Sequence, residues 1–237
     1  MALAAYETLT QALLQAPTSP IPLIPVAVLD SYINQARLQV AAQGRCIRAL
    51  GTLTLNTTDR TYSFSLITGM PAGIAAIYHV RQLWFLVGSG YQLVTSRPFE
   101  WFGLYSLNNP TPVAGAPTMW TQHGQGETGN IIIDPLPDFA YVCNVDVLAV
   151  PVTLVSDTTP EAIPAIWTLA VPFYAAWLAF MSWTRQADAD LMMKHFQEQM
   201  AFARNAANPD LLPENWSQSQ DLMLQNRLGI QAAKASG

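Results

Sequence analysis

The feature that most constrains this sequence is the stretch 162–184 (AIPAIWTLAVPFYAAWLAFMSWT), which contains no charged side chain. A helix of about 20 apolar residues is long enough to cross the core of a bilayer. Pro164 and Pro172 interrupt the run, and alanine, threonine and serine dilute it. A helix that is apolar on all sides is buried in something. We therefore predict a helix over 161–184 that is buried in protein, with a transmembrane helix as the alternative.

The low charge of the whole chain supports the same idea. Charged residues make up 11% of the 237 residues, against roughly 25% in typical soluble domains. The net charge is -5, and the lysines and arginines form no cluster. A broad nucleic-acid-binding face needs such a cluster. The length predicts one large or two small domains, and the composition predicts surfaces that are covered largely by other protein chains or by lipid.

Helical patterns open the chain. Residues 3–16 form an Ala- and Leu-rich segment that ends at Pro17, and residues 26–43 carry one apolar stripe. Spacings of three and four residues place the stripe on one helix face; it consists of Leu29, Ile33, Ala36 and Val40. Gly44 stands where a glycine C-cap is common. We expect two helices, the second capped by Gly44.

In the middle of the chain, 46–160, apolar and polar residues alternate with period two, as they do in strands. One hairpin is predicted from residues 53–55 and 62–66 around the polar turn 56–60. A second is predicted from residues 78–87 and 91–95 around a Gly-Ser-Gly turn. Further strands are expected at 119–122, 130–134 and 139–150, and Pro135 and Pro137 should break pairing between the last two.

A second helical part follows Pro160, and it ends in a segment of different character. Residues 187–207 have an amphipathic pattern with an apolar face of Leu191, Met192, Phe196, Met200 and Ala203. The segment 209–237 has apolar residues without periodicity. It is expected to dock on a partner or to fold back on its own domain. The candidate interface residues are Leu211, Leu212, Trp216, Leu222, Met223 and Leu224.

These patterns together predict an α+β fold. Segments 1–45 and 161–208 form a helical bundle, 46–160 is an inserted antiparallel β-rich domain, and 209–237 is an extended C-terminal tail.

No pattern in the sequence nominates a catalytic residue. The glycines of 124–129 match G-x-G-x-x-G, but a strand pattern follows them, and a dinucleotide site requires a helix there. His79, His123 and His195 have no spacing that suggests a zinc site. Cys46 and Cys143 are expected to be buried free thiols. We expect no enzyme activity, no metal and no cofactor.

Several segments, in this order, resemble one family. They are residues 32–46 (YINQARLQVAAQGRC), 130–138 (NIIIDPLPD), 150–154 (VPVTL) and 170–180 (AVPFYAAWLAF), followed by the amphipathic helix after Asp188. The chain is similar in this order to head-to-tail connector proteins, or adaptors, of short-tailed bacteriophages. Those have initial helices with an Ile-Asn-x-Ala-Arg segment, a β region and a closing helical pair.

The resemblance implies a structural role in the virion neck. Members form a ring, usually twelve-fold, between the portal protein and the tail or nozzle proteins, and DNA passes through the ring without specific binding. C-terminal tails in the family reach onto the portal, which is the role expected of 209–237. The chain would be made in the host cytoplasm and would not be bound to a membrane. Alternatives are another tail or fibre-attachment protein, or a membrane-anchored protein with a helix at 162–184.

Overall fold

The structure, a computed structural model, describes residues 1–15, 24–87, 90–103 and 113–207. Its helices lie mainly near the two ends of this range. They are α1 (Leu3–Gln15), α2 (Val26–Gly44), the single turn α3 (Phe99–Trp101), α4 (Ala165–Thr168), α5 (Val171–Ser182) and α6 (Gln186–Ala206).

The strands between them form one large sheet and one small ladder. They are β1 (Arg48–Thr54), β2 (Thr61–Ser63), β3 (Ile74–Val87), β4 (Gly90–Ser96), β5 (Ala114–Gly115), β6 (Met119–His123), β7 (Asn130–Asp134), β8 (Leu136–Pro137) and β9 (Val142–Pro151). In the described residues the large sheet has seven strands in the order β1-β9-β3-β4-β6-β7-β2, and β5 pairs with β8. All neighbours in the large sheet are antiparallel except β4 and β6.

The large sheet is curled, so its two end strands approach each other. The amide of Asn56, just after β1, donates to the Tyr62 hydroxyl on β2 at 3.0 Å. A single bridge also joins Thr52 on β1 to Thr68. Side chains from both end strands, including Leu53 and Tyr62, lie in the same apolar cluster. Curling buries one face of the sheet without a second layer.

A second apolar cluster joins the helices to one end of the sheet. It contains buried residues from all the longer helices, together with Ile47 and Ala149 from the β region. Ile74, at the start of β3, packs against both clusters. Burying a side chain the size of Leu or Phe contributes about 1.5–3 kcal/mol, so this shared boundary ties helices and sheet together.

The apolar stretch 161–184 forms two helices and not the single helix predicted. Pro164 precedes α4, and Pro172 stands in the first turn of α5. The amides of a first turn have no partner within the helix, so a proline there costs no helical hydrogen bond. Helix α5 buries Val171, Ala175, Ala176, Ala179 and Phe180 against the same chain. The expected burial is thus provided in large part by the protein's own core.

The first predicted hairpin is wrong in its pairing. β1 pairs with β9, which lies far along the chain, and β2 pairs with β7. The predicted alternation still identifies the buried side chains Leu53, Leu55, Tyr62 and Phe64. Leu66 is an exception: the chain turns into a 3-10 helix after Ser63, and Leu66 is 54% exposed. The second predicted hairpin is confirmed as β3–β4, in which Leu86 lies opposite Tyr91.

Two details of the helices also differ from the prediction. The left-handed C-cap of α2 is Arg45, with φ 48°, and Gly44 is the last helical residue. A Cβ at Gly44 would lie 2.6 Å from the Trp167 ring, so close packing explains this glycine. On α6 the buried face runs through Ala189, Met192 and Phe196, and Leu191 is 48% exposed.

The mixed α+β fold class is confirmed. The sheet is too large to be described as an insert in a helical bundle, and it shares its boundary with the helices through Ile74.

Candidate interaction surfaces

The six candidate interface residues lie outside the described residues, which end at 207. They are Leu211, Leu212, Trp216, Leu222, Met223 and Leu224. The candidate surfaces within the described residues therefore lie on the helices and the sheet.

A buried ion pair holds the helical part to the segment after β9. Arg37 on α2 is 1% exposed, and its guanidinium forms two bonds with Glu161, Nη2 to Oε1 at 2.7 Å and Nε to Oε2 at 2.9 Å. Burial raises the pKa of Glu161, but hydrogen bonds from Arg37 and the Ile163 amide outweigh it, so the net pKa is lowered. Glu161 is thus held as a carboxylate facing an arginine.

Helix α1 joins the same network through Tyr6. The Tyr6 hydroxyl donates to Oε2 of Glu161 at 2.9 Å, and Tyr6 is fully buried. Burial first, and then the neighbouring Glu161 carboxylate, raise the pKa of Tyr6 far above its ordinary value. The phenol is therefore held in its protonated form, in which it donates to Glu161.

The Ile-Asn-x-Ala-Arg segment, residues 33–37, contacts the Pro-x-x-Leu segment, residues 151–154, although more than a hundred residues separate them. Asn34 Oδ1 accepts from the Leu154 amide at 2.8 Å, and Asn34 Nδ2 donates to the Leu154 carbonyl at 3.0 Å. Arg37 Nη1 donates to the Val152 carbonyl at 2.7 Å. Ile33 and Ala36 are fully buried on the same helix. These motif residues have a packing role, which periodicity alone did not reveal.

The glycine-rich loop has the structure expected of a turn before a strand. A 3-10 turn at Gly126–Thr128 leads into β7 and not into a helix. Gly124 and Gly126 have φ of 78° and 62°, and a Cβ at Gly129 would lie 2.3 Å from the Phe64 ring. The glycines are therefore required by backbone conformation and packing, and the loop lacks the helix N-terminus that binds a pyrophosphate.

Histidines and cysteines are not gathered into a site in the part of the chain that is described. His123 stacks on Phe99 with ring centres 4.4 Å apart, and His195 Nδ1 lies 3.1 Å from Glu198 Oε2. The described residues contain no group of three His, Cys, Asp or Glu side chains that could hold a metal ion. Cys46 and Cys143 are free thiols, and burial raises the pKa of each to about 12.

An open apolar groove of about 340 Å³ lies on the helices. Its lining residues come from α1, the turn after α4, α5 and α6, and they carry no charge: Leu9, Ala12, Leu13, Leu169, Pro172, Phe173 and Gln199. Leu9 and Leu169 are 41% and 48% exposed. Apolar grooves of this kind are typical of protein-binding surfaces.

A second apolar surface lies on the β3–β4 hairpin. Leu86 and Tyr91 are paired across the hairpin, and Leu93 lies opposite Trp84. The exposed fractions of Leu86, Tyr91 and Leu93 are 56%, 71% and 61%. The opposite face of the same hairpin is buried through Leu83, Phe85 and Val94, so the hairpin is apolar on both faces.

The apolar run has the length of a membrane span when α4 and α5 are taken together. In the described residues Ala165–Ser182 is the one stretch long and apolar enough to cross a membrane, and half of it is buried within the protein. A core helix passes the same test, and the contacts of α5 with the other helices are those of a core helix.

Comparison of the chain with protein-family models and with curated proteins found no match.

Proposed function

We propose that this chain is a structural virion protein, a head-to-tail adaptor that forms a ring between the portal and the tail. Neighbouring copies bind one another, twelve being the number that the resemblance implies. DNA passes through the ring without specific binding. The protein acts in the virion neck after synthesis in the host cytoplasm, and it is not an enzyme.

The observation that carries this proposal is the presence of two unlike apolar surfaces on a chain with few charges. One is the groove around Leu9 and Phe173, and the other is the hairpin face around Tyr91 and Leu93. Charged residues are only 11% of the sequence. A ring subunit needs different surfaces for its contacts with neighbours and with the proteins on either side.

The resemblance to adaptors is supported by how its segments are connected. The segments 32–46 and 150–154 are held together through Asn34, Arg37 and Leu154. Contacts that hold a helix to the end of a strand are typical of residues that maintain a fold.

The proposal assigns a partner to each part of the chain. The helices of 1–45 and 161–208 form a bundle beside the portal, and the β region 46–160 faces the tail or nozzle proteins. The tail 209–237 is extended and reaches the portal through Leu211, Leu212 and Trp216. Hydrophobic residues without periodicity suit an extended segment that binds in pockets.

The test is co-elution of the full-length chain with purified portal rings on a sizing column. We expect a triple variant, Leu211→Asp, Leu212→Asp and Trp216→Asp, to lose co-elution. The matched control, Ser217→Asp, Gln218→Asp and Ser219→Asp, adds the same charge to neighbouring polar positions and should still co-elute. Equal behaviour of both variants, or no co-elution of the unaltered chain, would contradict the assignment.

A tail or fibre-attachment protein is the second candidate, favoured by the exposed hairpin face on the sheet. Crosslinks from residues 50–95 to a tail protein, with none to the portal, would support it in place of the adaptor. Sedimentation of the chain with membranes, and its absence from a detergent-free supernatant after ultracentrifugation, would instead support a membrane anchor.

A further inference from the structure

The apolar groove on the helices opens toward the end of α6. Phe173 lines the groove and packs against His195 on α6, with ring centres 5.6 Å apart. Because this contact joins two helices that follow each other through the link 183–185, α5 and α6 run in opposite directions. The other lining residues on this side, Leu169 and Gln199, therefore lie nearer the end of α6 than Phe173 does.

Exposed apolar surface connects the groove with the end of α6. Phe202 is 57% exposed, and it lies three residues after Gln199, a spacing that places the two on the same helix face. Ala206 is the last helical residue. Arg204 beside it donates to the Gln43 carbonyl at 3.2 Å, which holds this end of α6 against α2. The chain therefore leaves α6 from a fixed point beside a continuous apolar path into the groove.

The first apolar residues beyond this point stand at the distance that a return to the groove requires. Gln199 precedes Ala207 by eight residues, or ~12 Å at ~1.5 Å per helical residue. Leu211 and Leu212 follow Ala207 by four and five residues, which span up to ~13 and ~18 Å when extended. Pro209 stands before them, and a proline in the interior of a helix would break or kink it. A chain that reverses after α6 thus brings both leucines to the groove.

We infer that the tail 209–237 begins by folding back onto its own chain, with Leu211 and Leu212 in the groove and Trp216 further along it, toward Phe173. The docked leucines cover Leu9 and Leu169, which the described residues leave 41% and 48% exposed. The groove lining carries no charge, so it offers these apolar side chains no unpaired ion.

The tether selects the tail as the occupant. An apolar groove by itself accepts many apolar segments. The tail is covalently joined to α6, so Leu211 and Leu212 are present beside the groove at an effective concentration in the millimolar range, as short linkers provide. A separate chain at micromolar concentration is about a thousandfold more dilute. Position, and not apolar character alone, therefore favours the chain's own tail over a partner.

This docking goes beyond the proposed function and does not depend on it. The proposed function assigns Leu211, Leu212 and Trp216 to the portal, so the groove and the portal compete for the same side chains. Both experiments below contain no portal. Their failure would leave the adaptor proposal untouched, and failure of portal binding would leave the docking untouched.

The first experiment joins the tail to the groove covalently in the full-length chain. Leu169→Cys combined with Leu212→Cys should form an intramolecular disulfide in high yield under mild oxidation, because docking brings the two positions within the ~4.4–6.8 Å that a disulfide spans between Cα atoms. Mass spectrometry and a non-reducing gel measure the yield and show whether one chain or two are joined.

The matched control pairs Leu212→Cys with Leu191→Cys. Leu191 has the same exposed fraction as Leu169, 48%, but it precedes Ala207 by sixteen residues, or ~24 Å along the helix. That is beyond the reach of residue 212, so this pair should form little disulfide within one chain. Equal yields from the two pairs, or a disulfide that joins two chains in place of one, would overturn the inference.

The second experiment measures how fast chymotrypsin cleaves after Trp216. Cleavage should be slow in the unaltered chain and about tenfold faster in Leu169→Asp, since a carboxylate in place of a buried leucine contact weakens docking by at least that factor. Leu9→Asp, on α1, should act in the same way, and Leu191→Asp should not. Slow cleavage after Phe85, which is buried in the sheet, shows that each variant keeps its fold. Equally fast cleavage after Trp216 in all four chains would overturn the docking.

Discussion

Arg37 on α2 and Glu161 before α4 form a two-bond ion pair, with nitrogen–oxygen distances of 2.7 and 2.9 Å, although they lie 124 residues apart in sequence. The guanidinium also binds Val152 and Asn34. A single side chain thus joins the helical part of the chain to the segment that leaves the sheet.

Replacing Glu161 by Gln should be strongly destabilising at neutral pH. The change leaves the Arg37 guanidinium buried without a counter-charge, a loss of about 3–5 kcal/mol in the free energy of unfolding. Urea unfolding at pH 7 measures this loss. Glu198→Gln, which removes an exposed partner of His195, is the control and should change the free energy of unfolding by less than about 1 kcal/mol.

The effect of Glu161→Gln should also depend on pH. The folded-state pKa of Glu161 is lowered, so its contribution is fully present above the unfolded-state pKa and is lost as the pH falls through the folded value. The difference between the unaltered chain and Glu161→Gln should therefore shrink in acid, below about pH 4.3, the ordinary pKa of a glutamate. An undiminished difference at pH 3 would argue against a charged Glu161.

Glu7 should show the opposite pH dependence. Burial first, and then the neighbouring Asp30 carboxyl group, raise the pKa of Glu7, and Oδ1 of Asp30 is buried with no hydrogen-bond partner in the described residues. A raised carboxyl pKa means that stability falls as the pH rises through the interval between the unfolded and folded values. Glu7→Gln should therefore stabilise at pH 7, by less than about 1 kcal/mol for a group that is only partly buried, and the gain should vanish near pH 4. Thermal unfolding at the two pH values checks the sign.

The Gly44→Ala substitution has two opposing effects on the free energy of unfolding, one from helix propensity and one from packing. Propensity alone predicts a gain of up to about 1 kcal/mol from alanine in a helix. A Cβ at this position would lie 2.6 Å from the Trp167 ring, and overpacking of this kind costs about 1–3 kcal/mol. We expect a net loss in the free energy of unfolding. Gly103→Ala, where a Cβ meets no atom of the described residues within 4 Å, is the control, and a stabilised Gly44→Ala would show that Trp167 moves aside without cost.

The two native thiols should react slowly in the folded protein. Burial raises the pKa of Cys46 and of Cys143 to about 12, so little thiolate is present at pH 8. We expect iodoacetamide to label neither residue within the time that fully labels an added thiol at an exposed position, Ser96→Cys, and to label both in guanidinium chloride. Rapid native labelling of Cys143 would place it outside the sheet core.

The elements that sequence could predict are those defined by local periodicity. Leu29, Ile33, Ala36 and Val40 are all buried on α2 as their spacing indicated, and β3 and β4 pair with each other as antiparallel neighbours in the chain. Such features depend on residues within one or two turns of each other, so the pattern is visible without knowledge of the fold.

Long-range pairing could not be predicted in the same way. Period two shows that Leu53 and Leu55 share a buried face, but it does not identify β9 as the partner of β1. The ion pair of Arg37 was missed for the same reason, because its partner is 124 residues away. A buried arginine within an apolar helix stripe was the available signal, since a buried charge needs a counter-charge. The tail residues Leu211 and Trp216 remain predictions, because they lie outside the described residues.

The most direct test of the adaptor proposal is the native mass of the complex formed when the detergent-free full-length protein is mixed with portal rings. Light scattering on a sizing column should show one species heavier than the portal ring by about twelve copies of a 25.9 kDa chain, the number that the resemblance implies. Two separate peaks, a free portal ring and the unbound chain, would contradict the proposal.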